Sequence, residues 1–249
     1  GKVTLQKNAV SHVTDGLVLH LDAANTNSYP GTGTTWTDLT GGGPNGTLAS
    51  GAVYDSINGG AILFDGNDDR VEFSASSDFN FSTSDFAVEI WFYLTGNAAA
   101  NSNGLRICGL FANCPINNIN GVTSLLQIQG DSTTTGTGLR WTRNVSPAVN
   151  VDRTVSISQQ AWHQVVVTRI GTNLNFYLDG FQLGSPTTDS SPWGSSSNNA
   201  RLGYIQSQIL GYKGAFPGYI PIVRIYKGKG LTAEEVQQNF NANRGRYGV

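Results

Sequence analysis

Charge is scarce in this sequence. Lys and Arg number 15 and Asp and Glu 17, together 13% of 249 residues, against roughly 25% in an ordinary soluble domain. So little charge excludes a solvated coiled coil and a polyelectrolyte disordered chain, while 39% hydrophobic residues can supply a core. The net charge of −2 lacks the basic excess of a nucleic-acid-binding surface. No apolar run approaches the ~18 residues of a membrane-spanning helix, and the first residues lack a basic-then-apolar secretion signal. Cysteine is limited to Cys108 and Cys114, too few for a disulfide scaffold and wrongly spaced for a zinc ribbon. They read as two reduced thiols in a loop, or as a small closed loop in an oxidising compartment. His12, His20 and His163 form no HxH or HxxxH pair, so ordinary strand histidines are expected rather than a metal trio.

What is present is glycine, 31 residues of it, and a period of two. In Phe86–Leu94, Phe86, Val88, Ile90, Phe92 and Leu94 fall on one face and Ala87, Glu89, Trp91 and Tyr93 on the other, as in a strand. Trp162–Arg169 and Leu174–Leu178 continue as a meander, and Asp179-Gly180 then signals a two-residue hairpin of type I′. Ile62–Phe64 and Arg70–Phe73 flank a turn at Asp65–Asp69, Gly16–Asp22 opens the strand series, and Ile220–Tyr226 nearly closes it. Pro221 marks that last strand as an edge or a bulge, since proline gives no N–H to a ladder. One helix is expected near the C-terminus. Thr232 and Glu235 form a capping box, Leu231 and Val236 a hydrophobic staple, and Val236 and Phe240 a narrow apolar stripe. With no charged or Pro-rich linker between strand runs, residues 15–249 read as one domain and residues 1–14 as an arm outside it.

Several of these segments together resemble a known family. Gly16-Leu-Val-Leu-His-Leu-Asp-Ala23, Ser28-Tyr-Pro-Gly31, Thr34–Leu39 and Asn45-Gly-Thr-Leu48 look like the opening of a LamG-like, concanavalin A-like lectin/glucanase domain. Phe64–Asp69, Phe86–Trp91, Trp162-His-Gln-Val-Val, Phe176-Tyr-Leu-Asp-Gly180 and Val223-Arg-Ile-Tyr226 fit its middle, and Leu231–Val236 with Asn239–Gly248 fit its ending. The resemblance runs from about Asp15 to the terminus and is specific as a set. The opening and ending are most similar to versions in tailed-phage structural proteins. The resemblance implies an all-β fold, an antiparallel two-sheet jelly-roll sandwich whose first and last strands are adjacent, with one short C-terminal helix. Pro221 departs from the small or acidic residue usual in its strand.

The resemblance fixes a fold and leaves function to the sites. Glucanases of the superfamily carry alternating carboxylates on one strand, and retaining hydrolysis needs two about 5 Å apart. The matching strand offers Glu89, Trp91 and Tyr93, a single carboxylate, so no enzyme and no catalytic residue are expected. No cofactor is expected. Calcium is the one cation the pattern could hold, through Asp65 and Asp68 beside Asn67 and Asp69, although the same residues suit a turn. Glycan binding needs aromatic rings to stack on sugar faces. Trp193, in no periodic segment, and Trp91 and Tyr93 on the sheet are the candidates, with Glu89 beside them; Trp36 and Trp162 read as core. Val3 and Leu5 in the arm are candidate partner contacts, by strand addition to a neighbour's sheet edge.

The expected function is therefore a non-catalytic virion protein, a capsid decoration or cement subunit on the capsid surface, because one domain with a short arm suits such a subunit. Its partners would be the major capsid protein or other virion proteins, with homo-oligomers, and neither nucleic acid nor membrane. The alternative is an extracellular, carbohydrate-binding adhesin module for host attachment.

Overall fold

A computed structural model describes residues 10–100, 104–114, 121–207 and 212–249. The first strands are β1 (Leu17–Asp22), β2 (Thr35–Trp36), β3 (Gly46–Ala49), β4 (Val53–Asp55), β5 (Ala61–Asp65), β6 (Arg70–Phe73) and β7 (Asn80–Ser82). The long strands follow as β8 (Phe86–Leu94), β9 (Cys108–Asn113), β10 (Ser124–Gly130), β11 (Thr135–Arg143), β12 (Val149–Thr154), β13 (Trp162–Ile170) and β14 (Asn173–Leu178). Then come β15 (Phe181–Gln182), β16 (Thr187–Thr188), β17 (Trp193–Gly194), β18 (Ala200–Leu202), β19 (Tyr204–Ser207), β20 (Tyr212–Ala215) and β21 (Pro217–Lys227), and helix α1 (Ala233–Tyr247) ends the chain.

The strands form two large antiparallel sheets. One runs β15-β14-β13-β8-β21-β5-β4, with β1 also on β21 and β16 on β14; the other runs β12-β11-β10-β9-β18-β6-β3-β2. Their inner faces share one core, to which the even face of β8 gives Phe86, Val88, Ile90, Phe92 and Leu94, and β11 and β10 give Leu139, Trp141, Leu126 and Ile128. The first strand lies against the last, Leu21 opposite Val223, as a jelly roll requires.

Pro221 is no edge residue. β21 sits between β8 on one side and, on the other, β5 up to Ile220 and β1 from Ile222 onward. The proline occupies the hand-over, where the register against β8 shifts between Tyr219 and Ile222. There its missing N–H breaks no ladder, and its carbonyl accepts from Ala23 N at 2.9 Å. The turn reading of Asp65–Asp69 also changes. β5 and β6 do not pair, so this segment carries the chain from one sheet to the other.

Asp179-Gly180 joins β14 and β15 as expected, with Leu178 opposite Phe181 and φ of 53° and 82° at the two turn residues. Gly180→Val should destabilise by about 1–3 kcal/mol, because a β-branched side chain resists positive φ. Denaturant unfolding checks this, and an unchanged midpoint would contradict the type I′ assignment.

The helix starts where the capping box places it. Thr232 Oγ1 accepts from Glu235 N at 3.3 Å, and Glu235 Oε2 accepts from Thr232 N at 2.9 Å. It buries Val236, Asn239, Phe240 and Tyr247 against the outer face of the β8 sheet. Cys108 and Cys114 are free and buried, and burial pushes the Cys108 thiol up. They stand at either end of the extended strand β9, which holds them roughly 20 Å apart and rules out a bond between them.

Candidate functional site

The outer face of β8 carries three of the residues singled out from the sequence, Glu89, Trp91 and Tyr93. Its neighbours β13 and β21 place Val166 and Arg224 beside Glu89, Gln164 and Ile222 beside Trp91, and Trp162 and Tyr219 beside Tyr93. Along this one strand the surroundings pass from sealed to open.

At the sealed end Glu89 is wholly buried. Its Oε1 accepts from Arg224 Nη1 at 2.8 Å and from Gln164 Nε2 at 2.9 Å, and its Oε2 from Asn239 Nδ2 at 2.7 Å. Asn239 also donates to Tyr226 Oη and accepts from Val13 N, while Tyr226 Oη donates to Val13 O at 3.0 Å. Burial, with Glu89 close by, pushes the Tyr226 hydroxyl up. Arg224 Nη2 reaches Asn243 Oδ1 at 3.0 Å on the helix. The carboxylate thus has a partner for each oxygen and no path to solvent, so Glu89 is a structural ion-pair residue rather than a ligand contact. The network also fastens Val13 to the helix; Val3 and Leu5 lie outside the described residues.

Trp91 is equally covered. Its ring stacks on Phe240 at 5.5 Å and on Tyr247 at 4.6 Å, which corrects the expectation of an exposed contact. The apolar stripe of α1 needs a surface to cover, and Trp91 supplies it.

Tyr93 stands at the open end and remains partly exposed. It packs against Trp162 at 5.1 Å and the partly exposed Tyr219 at 5.9 Å, with Trp162 Nε1 donating to Asn58 Oδ1 at 3.2 Å. Burial raises the Tyr219 phenol, and Asp55 and Tyr93 add to the effect. Tyr219 escaped the sequence reading, because only the pairing of β21 with β8 brings it beside Tyr93.

Trp193 is the clearest correction. The loop expected around it holds a short strand, β17, with Trp193 opposite Ser82 of β7, and the ring is fully buried. It packs 5.3 Å from Trp141 and donates from Nε1 to Asp189 Oδ2 at 2.5 Å. It caps the core and presents no face to a ligand.

Asp65, Asp68 and Asp69 each offer a carboxylate oxygen within 4.8 Å of the others, the one such acidic group among the described residues. Burial raises the Asp69 pKa, and Asp65 and Asp68 add to it, while the hydrogen bond from Asp65 N and the charge of Arg70 oppose it. Asp69 Oδ2 accepts from Asp65 N at 2.9 Å and Asp65 Oδ1 from Asn67 N at 2.8 Å, so one oxygen of each serves the backbone of the loop, while Asp69 Oδ1 is buried without a partner. EDTA should therefore shift the thermal midpoint by less than about 1 °C. Calcium-linked stabilisation of about 2.7 kcal/mol, as at a hundredfold excess over Kd, would show a true ion site. His12 and His20 pack ring against ring at 4.5 Å, while His163 bonds Asp179 Oδ2 at 2.8 Å, so the three histidines do not converge.

This architecture has relatives. A family model described as the concanavalin A-like lectin/glucanases superfamily matches residues 65–237. The chain belongs to that superfamily. No curated protein matches the sequence at a significant level. Among solved structures, domain 4 of AbnA, an extracellular arabinanase from Geobacillus stearothermophilus, in complex with arabinotriose, matches with a TM-score of 0.64 at 18% identity. That match covers 90% of this chain and 97% of the other. The binding domain of Paraclostridial Mosquitocidal Protein 1 matches with a TM-score of 0.66 at 15% identity, over 91% of this chain and 52% of the other. The binding domain of botulinum neurotoxin DC in complex with rat synaptotagmin II gives 0.64 at 14% identity, over 91% and 51%. The chain therefore spans about half the length of the toxin binding domains it matches. At such identities these likenesses establish the superfamily's sandwich and nothing of its ligands.

Proposed function

We propose that this protein is a non-catalytic binding module working as a decoration subunit on a tailed-phage capsid, where it seats on neighbouring shell proteins. The observation that carries the non-catalytic part is Glu89. It is the one carboxylate on the strand where a glucanase needs a pair, and it is buried and bonded to Arg224, Gln164 and Asn239. General acid catalysis needs a carboxyl within hydrogen-bond reach of a substrate, and helix α1 closes that route. The virion part is supported by the phage-like opening at Gly16–Ala23 and ending at Asn239–Gly248. Stained gels of purified virions test it. A copy number close to that of the main shell protein is expected, and a few copies per particle would overturn it.

The second reading is an adhesin module that binds glycans, favoured by the open end of the same face. There the partly exposed Tyr93 and Tyr219 stand beside Trp162, a surface on which a sugar ring can stack. The structural relative bound to arabinotriose makes arabino-oligosaccharides the first ligands to try. Binding abolished by Tyr93→Ala and Tyr219→Ala, with the fold retained, would support this reading over the first.

A further inference from the structure

Among the described residues four arginines are buried: Arg143, Arg169, Arg201 and Arg224. Three have a carboxylate within 4.0 Å, namely Asp189 for Arg169, Glu72 for Arg201 and Glu89 for Arg224. Arg143 has none. It is 5% exposed, and its Nε and Nη1 are sealed from solvent without a hydrogen-bond partner. The negative charge that acts on it is that of Asp189, and that carboxylate is already engaged. Its Oδ2 accepts from Trp193 Nε1 and lies 3.6 Å from Arg169 Nη1, and its Oδ1 accepts from Ser191 N at 3.1 Å. Asp189 is thus committed to Arg169, on which Asp85 also acts, while the buried Arg143 guanidinium has no carboxylate in ion-pair contact among the described residues.

A second orphan stands beside it. On β10, Ser124 lies two residues before Leu126 and four before Ile128, and on β11, Arg143 lies two beyond Trp141 and four beyond Leu139. Those four are core residues, so alternation puts Ser124 and Arg143 on the same inner face. Leu125 pairs with Thr142, and the next rung sets Ser124 across from Arg143. Ser124 is completely buried, and its Oγ also has no partner. The Ser124 hydroxyl and two guanidinium nitrogens of Arg143 are sealed without partners on one inner face, and an acceptor that carries negative charge would answer them. A water molecule would satisfy the hydrogen bonds and leave the charge, whereas a small anion answers both.

We propose that Arg143 and Ser124 form a binding site for a small monovalent anion of the size of chloride, at the end of the sandwich that Trp193 caps. The site is independent of the proposed function and of the β8 face.

The test is thermal unfolding of the full chain at fixed ionic strength, with chloride or bromide replacing gluconate, which is too bulky to enter. The expected result is a saturable rise of about 3 °C in the midpoint with either halide. Arg143→Met keeps the apolar stem and removes the charge. It should lose the halide response and unfold in gluconate no lower than the unaltered protein. Equal midpoints in chloride and gluconate for the unaltered protein, or an undiminished halide response in Arg143→Met, would overturn the site. Should Arg143→Met fail to fold, bromide-soaked crystals of the unaltered protein decide the matter. An anomalous peak between Arg143 and Ser124 is expected, and its absence at saturating bromide overturns the proposal.

Discussion

Arg224→Met is expected to lower stability by about 3–5 kcal/mol, the usual consequence of removing one partner of a buried ion pair. Arg224 Nη1 lies 2.8 Å from Glu89 Oε1, and both side chains are essentially inaccessible. Without the guanidinium, Glu89 keeps only the amides of Gln164 and Asn239, and neither neutralises a charge in the interior. The helix feels the change too, since Arg224 Nη2 also holds Asn243. For a chain of this size the midpoint should fall by roughly 6–20 °C. Adding Glu89→Gln to Arg224→Met should restore more than half of the loss, because a neutral amide needs no counter-charge. Calorimetry of the two single variants and the double variant checks this. Strictly additive losses would contradict the coupling.

Trp193→Ala should be about as damaging, with a loss of roughly 3–5 kcal/mol as for other buried aromatic truncations. The ring fills space beside Trp141, and its Nε1–H satisfies Asp189. Asp189 in turn lies beside Arg169, whose Nη1 donates to Ser191 O and whose Nη2 donates to Ser82 O. Removing the indole therefore opens a cavity and leaves a buried carboxylate oxygen without its donor. A ring serving only as an external contact would behave differently, since surface substitutions usually stay within about 0.5 kcal/mol. Urea denaturation separates the two, and a midpoint within error of the unaltered protein would return Trp193 to the surface.

The elements that could be read ahead of the structure are those written in contiguous residues. Phe86–Leu94 alternates over nine positions, and alternation alone tells which side chains share a face. Asp179-Gly180 announces its turn through the φ its residues tolerate, and Thr232 and Glu235 announce a helix start because each side chain reaches the other's backbone. The single carboxylate on the β8 face was equally visible.

What escaped notice depended on segments far apart in the chain. Arg224 and Asn239 meet Glu89 across 135 and 150 residues, so no local pattern could show that the carboxylate is sealed. Trp193 sits among turn residues and looks exposed until β7, more than a hundred residues earlier, pairs with it. Pro221 suggests an edge or a bulge; the register does shift there, between Tyr219 and Ile222, and only the exchange of β5 for β1 along one side of β21 shows why the proline is harmless in mid-sheet. The sequence by itself determined the strands, the turn, the helix cap and the two faces of β8, because backbone preference and side-chain alternation act between near neighbours. The tertiary structure alone decided which end of that face α1 covers and which it leaves open at Tyr93, and which buried arginine has no ion-pair partner among the described residues. Those outcomes follow from which distant strands share a ladder, and pairing is a property of the whole sheet.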